Sequence, residues 1–246
     1  MNKRIIRLII LILQTIATIA IFGICVYGIF TDSHWLNHVE FTECAIRLIC
    51  ISAFSVFYYH SLAGGFGSDT LFIPVFILFS VLTESRIINI FSKVFSFYFL
   101  PPLEIVNIFI FSTIMTVLPL IGYCIFFDNP SSDSAMSFLL AGKVGSIIVT
   151  DIVPKTQNLN NIFDSTPVLM LIYAAYIIAF ITCIIMLFTD SPGSDLIRHF
   201  VCLILIAGNY INLFYNTFVM NIIGTVFIIV ACTIIVIMTK KNAIKM

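Results

Sequence analysis

Charge is what this chain has least of: 10% of its 246 residues are Asp, Glu, Lys or Arg, against about a quarter in soluble domains. A chain so poor in charge cannot cover a water-facing surface, which excludes an ordinary soluble domain. The 12 basic and 12 acidic residues cancel, so there is no electrostatic case for a nucleic-acid partner. Paired cysteines are also missing. The seven present (Cys25, Cys44, Cys50, Cys124, Cys183, Cys202, Cys232) are scattered and almost all lie in apolar runs. They read as small hydrophobes, with no CxxC or Cys/His spacing for zinc and no disulfide framework. No phosphate-binding loop, kinase signature, coiled coil or visible internal repeat occurs, so no cofactor or metal is expected. The apolar runs lack the alternation of barrel strands, which leaves helices.

What is present is hydrophobic length, with 61% apolar residues and a mean hydropathy of +1.13. About 20 residues at a 1.5 Å rise cross a hydrocarbon core of roughly 30 Å. The sequence therefore predicts an all-α, polytopic transmembrane helix bundle with no soluble domain. Its spans are expected near 5–30, 44–63, 70–91, 103–127, 134–153, 167–188, 196–215 and 218–238. The fifth is the weakest, with Lys143 at its middle, and without it there are seven spans. Eight is preferred because both termini are then cytoplasmic. Lys3, Arg4, Arg7, Arg198, Lys240, Lys241 and Lys245 then lie inside, against Arg47, Arg86, Lys93 and Lys155 outside, as the positive-inside tendency requires. The first helix lacks an A-x-A cleavage site, and Ile24 stands where lipidation at Cys25 would need a small residue, so that helix is expected to be retained.

Costly polar groups inside apolar runs are the candidate site: Glu84, Lys143, and the asparagines Asn209, Asn212 and Asn216 at i, i+3 and i+7. In Thr70–Phe91, taken as one helix, Ser80 and Glu84 share a face while Arg86 and Asn89 fall nearly opposite. Arg86 can then snorkel and Glu84 needs a partner across the bundle. Lys143 is the expected partner, while Arg47, read at the outer end of the second helix, snorkels to the headgroups. Ser52, Ser55 and Tyr59 form a polar stripe that suits a helix contact, and the asparagine face should bond a neighbouring helix.

Other patterns are bland. Thr31–Glu43 reads as an external interfacial loop, although His34 and His38 would share a face if it were helical and could then hold a metal with a carboxylate. Gly65-Phe66-Gly67-Ser68-Asp69 is near the Gly-x-Gly-Asp signature of intramembrane aspartyl proteases. However, Ser68 separates glycine from aspartate, and no partner Tyr-Asp helix occurs. An acid–base set of Glu84, His60 and His199 is split between the two ends of the expected bundle, too far for proton transfer.

The Phe72, Phe76, Phe79 run followed by Glu84-Ser85-Arg86, and the Ile152-Val153-Pro154 step closing the fifth span, resemble a family of uncharacterised polytopic inner-membrane proteins from spirochaetes. About a third of the chain is involved. The family carries a basic residue ahead of the aromatic run, where this chain has Ser68-Asp69, and a longer gap between acid and arginine. The resemblance implies a bacterial inner-membrane location and brings no activity with it. Prominent Ile, Phe, Asn and Lys also fit an AT-rich bacterial genome.

Three functions follow, in order. The first is a non-enzymatic sensor, assembly or scaffold component, with the lipid bilayer and other membrane proteins as partners. The second is a small-solute or ion transporter or channel through the polar residues above. An enzyme comes last.

Overall fold

The structure, a computed structural model, describes residues 3–31, 34–61, 69–97, 99–126, 132–152, 166–189, 194–214 and 217–245. These residues form helices and their short connections, with no strand among them. In chain order the helices are α1 (Lys3–Thr31), α2 (Trp35–Ser61), α3 (Asp69–Thr83), α4 (Arg86–Phe95), α5 (Pro102–Ile125), α6 (Ser132–Ile152), α7 (Thr166–Thr189), α8 (Ser194–Phe214) and α9 (Phe218–Lys245). Eight segments are long and apolar enough to cross a bilayer, with α3 and α4 together making one of them, Leu71–Phe95. The segment around Lys143 qualifies as Asp133–Ile152.

Two departures from the expected helices matter for the site. The first is that α2 starts at Trp35, so most of the stretch read as an external loop is helical. From Trp35 to Ser61 there is no glycine or proline to stop a helix. The second is that the expected Thr70–Phe91 helix is interrupted at Glu84-Ser85. Elsewhere the expected punctuation holds: Pro102 opens α5 behind Pro101, where a missing N–H costs nothing. The long apolar run of the last third divides between Phe214 and Phe218.

The central scaffold is α5, which packs against α3, α4, α6, α7 and α8, while α9 lies along α8 and α2. The main core joins Phe72, Phe76 and Ile77 of α3 to Phe109, Ile110 and Leu120 of α5, and runs on to Ile172 and Leu205. A smaller core around Ile21, Cys25, Phe41, Leu48, Val81 and Phe91 ties α1 and α2 to the α3–α4 region. Small residues allow a close approach between α8 and α9. A Cβ placed on Gly208 would stand 2.8 Å from the Gly224 carbonyl oxygen, and one on Gly224 would stand 2.8 Å from that of Gly208. The polar stripe of α2 acts as expected at one point: Ser55 donates to Oε1 of Gln14 on α1 at 3.0 Å. All seven cysteines are free, with the sulfurs of Cys124 and Cys183 3.3 Å apart.

Candidate functional site

The break between α3 and α4 is a short run of tightened turn. Glu84 and Ser85 donate their N–H groups to the carbonyls of Val81 and Leu82, both at 3.1 Å, and Ile87 and Ile88 donate to Glu84 and Ser85 at 3.1 and 3.0 Å. Each bond reaches back three residues where an α-helix reaches back four. The Ser80 carbonyl, which an unbroken helix would offer to the Glu84 N–H, is taken by the Thr83 hydroxyl at 2.8 Å. A local side chain thus holds the released acceptor, and the break leaves that group satisfied in an apolar setting.

Glu84 is buried at this break, and its partner is Arg47 of α2. Nε of Arg47 donates to Oε1 at 2.7 Å and Nη2 to Oε2 at 3.0 Å. This is the two-pronged geometry that a planar guanidinium offers a carboxylate. Nη1 of Arg47 lies 3.7 Å from Oε2 of Glu43, one turn earlier, too far for a hydrogen bond. Glu43 is engaged elsewhere, accepting from Nδ2 of Asn221 on α9 at 2.6 Å. The polar network therefore runs from α9 through α2 to the break.

Beside the Arg47–Glu84 pair is a cavity of about 40 Å³ whose wall includes Arg47, Ser80, Glu84, Arg86, Asn209 and Asn212. That volume exceeds the roughly 10–15 Å³ needed for one water. Several wall hydroxyls and amides are already committed to their own helices. Thr113 donates to Phe109 O, Thr225 to Asn221 O and Asn209 to Leu205 O. Others are not: Nη1 of Arg47, Oγ of Ser80 and both polar atoms of Asn212 have no hydrogen-bond partner. Arg47 is 6%, Ser80 5% and Asn212 9% exposed. Gly224 makes room for Asn212, since a Cβ there would collide with its Oδ1.

Several sequence expectations are corrected here. Glu84 does not pair with Lys143. The α6 face bearing Ala135, Gly142, Ser146 and Thr150 turns inward, with Gly142 against Leu118 of α5, and Lys143, next along the helix, is exposed on the outer side. Arg47 does not snorkel, because α2 begins at Trp35 and Arg47 lies about 18 Å along it at 1.5 Å per residue. Glu84 and Arg86 are not on opposite faces, since the break brings both to one cavity. Asn209 and Asn212 do share a face, but Asn209 bonds its own helix and Asn212 bonds nothing; Asn216 lies outside the described residues. The glycine-rich connection also lies outside them, apart from Asp69. No group of three His, Cys, Asp or Glu side chains able to hold a metal occurs among the described residues, and neither His60 nor His199 is in the cavity wall.

Arg47, Thr113, Thr225 and the Asn221–Glu43 link are what sequence reasoning missed. One signal was available: Glu40, Glu43 and Arg47 recur at i, i+3 and i+7, helical spacing inside a stretch taken for a loop. Comparison with family models, with curated proteins and with solved structures found no match.

Proposed function

We propose that the chain is an eight-span integral membrane protein of the bacterial inner membrane, with both ends cytoplasmic, that binds a small polar solute or ion beside the α3–α4 break as part of carrying it across. The apolar exterior supports membrane embedding. Large hydrophobic side chains such as Ile177, Ile178, Ile181 and Ile185 on α7, and Val219, Ile222 and Val226 on α9, are exposed in contiguous stripes that soluble monomers rarely tolerate.

One observation carries the solute-binding reading: unpartnered polar atoms of three buried side chains, Arg47, Ser80 and Asn212, converge on a single cavity. The Arg47–Glu84 pair alone could be structural, tying α2 to the break. Buried polar atoms with no partner are costly, roughly 1–3 kcal/mol each, and call for a ligand or ordered water. A helix broken inside an apolar span is also how many carriers expose binding groups at depth. In this orientation the wall residues of α8 and α9 lie in the outward halves of their helices, while those of α2, α5 and α7 lie near mid-helix, which puts the cavity close to the middle of the membrane. The partner-acting reading, placed first on sequence grounds, gains no comparable feature.

The test is saturable uptake by proteoliposomes over a panel of small anions, cations and neutral polar solutes. Asn212→Leu should lower the uptake of the transported solute about tenfold or more, the scale of one lost hydrogen bond to a charged group. Lys143→Gln should leave it unchanged, because Lys143 faces away from the cavity. No saturable uptake of any solute, or equal uptake by Asn212→Leu, rejects the reading.

A further inference from the structure

We propose that the ligand of this cavity is a small monovalent anion with three or four heavy atoms, of the size of formate or nitrate; the inference rests on the solute-binding reading above. The argument begins with which charges remain to be used. The only carboxylate in the wall is Glu84, and both of its oxygens already accept from Arg47. An entering cation would find no free carboxylate. Two guanidinium groups share the wall with it. Nη1 of Arg47 makes no hydrogen bond, with Glu43 3.7 Å away. Arg86 has no carboxylate within ion-pair distance among the described residues. Ionised, Arg47, Arg86 and Glu84 give the wall one net positive charge.

Just outside the wall, Glu40 and Glu43 with Lys93 bring the surrounding total to zero, so the preference for an anion rests on the wall itself, which offers N–H donors and no free carboxylate. Glu43 is turned to Asn221 and reaches Arg47 only at 3.7 Å. Glu40 lies within electrostatic reach of both Arg86 and Lys93, so its charge is shared with a lysine outside the cavity. Nη1 of buried Arg47 and the half-buried Arg86 guanidinium border the cavity without a carboxylate at hydrogen-bond distance, and an anion is the species that accepts from both. A planar anion also matches guanidinium N–H groups, which present paired donors in one plane. Nδ2 of Asn212, with no partner of its own, supplies a neutral donor. The Thr83, Thr113 and Thr225 hydroxyls, which donate to their own helices, keep lone pairs for a water that enters with the anion. At about 40 Å³ the cavity holds roughly three waters' worth of ligand. A ligand held wholly inside it is therefore of roughly three or four heavy atoms.

The test uses the full chain in detergent or nanodiscs, in gluconate salts, whose anion is too large for the cavity. Radiolabelled formate is titrated at constant ionic strength. Saturable formate binding is expected, weakened about tenfold or more in Arg86→Gln and partly restored in Arg86→Lys, each variant being checked as monodisperse by gel filtration. Equal binding by wild type and Arg86→Gln overturns the proposal. So does saturable binding that follows the cation (sodium or potassium against choline) or a neutral solute such as urea, though the solute-binding reading then stands. Failure of every anion, cation and neutral probe to bind overturns both. Should Arg86→Gln fail to fold, Asn212→Ala replaces it, with the same expected loss and the same overturning result.

Discussion

Arg47 and Glu84 illustrate how little freedom a charge has once it is enclosed. Each has withdrawn from water, and their two short hydrogen bonds offset a desolvation cost of several kcal/mol per ion. Removing one partner leaves the other stranded. Glu84→Met or Arg47→Met should each lower stability by about 3–5 kcal/mol, and the double variant Arg47→Met/Glu84→Met should recover most of it. Unfolding of the four proteins in detergent, arranged as a double-mutant cycle, checks this. Additive losses would mean that the two side chains are not energetically coupled. The cycle measures stability alone and is independent of what the cavity holds.

At the scale of the element, the α3–α4 break shows what could and could not be read in advance. Pro101-Pro102 marked the start of α5, and the polar turn after Phe214 marked the fold-back, because proline and turn-forming residues act locally. Glu84-Ser85 contains no glycine or proline, so nothing local announced an interruption. Glu84 at the break pairs with a residue 37 positions away on α2, a helix that starts about nine residues before the sequence pattern suggests. With Trp35–Glu43 read as loop, Arg47 falls at the surface and Glu84 is left to pair with Lys143. The Thr83 hydroxyl is the local contribution to the break. Thr83→Val, which keeps the shape and removes the donor, should cost about 1–3 kcal/mol by leaving the Ser80 carbonyl without its partner. Thermal unfolding reads this cost. A neutral result would mean that the carbonyl returns to an unbroken helical ladder.

For the molecule as a whole, helix number and approximate span were legible because hydrophobic length is a property of consecutive residues. Even the doubtful fifth span, with Lys143 in it, is a helix of sufficient length and apolarity. Which faces meet was much less legible, since lipid-facing and buried surfaces are equally apolar. Lys143 and Gly142, neighbours in sequence and about 100° apart around α6, divide between the exposed side and the side against α5. The eight-span orientation makes a direct prediction. Single cysteines replacing Ser132 and Asn158 should be labelled by a membrane-impermeant reagent from opposite sides of the bilayer, Asn158 from outside. Labelling of both from one side would require seven spans.

Native thiols bear on any such measurement. Six of the seven cysteines are buried, and the seventh, Cys50, stands in the cavity wall beside Arg47 and Glu84. The unmodified protein thus carries its own reporter at the place of interest. The rate at which Cys50 is alkylated registers whether the cavity is empty or filled, and comparison of cationic with anionic reagents samples the electrical potential inside it.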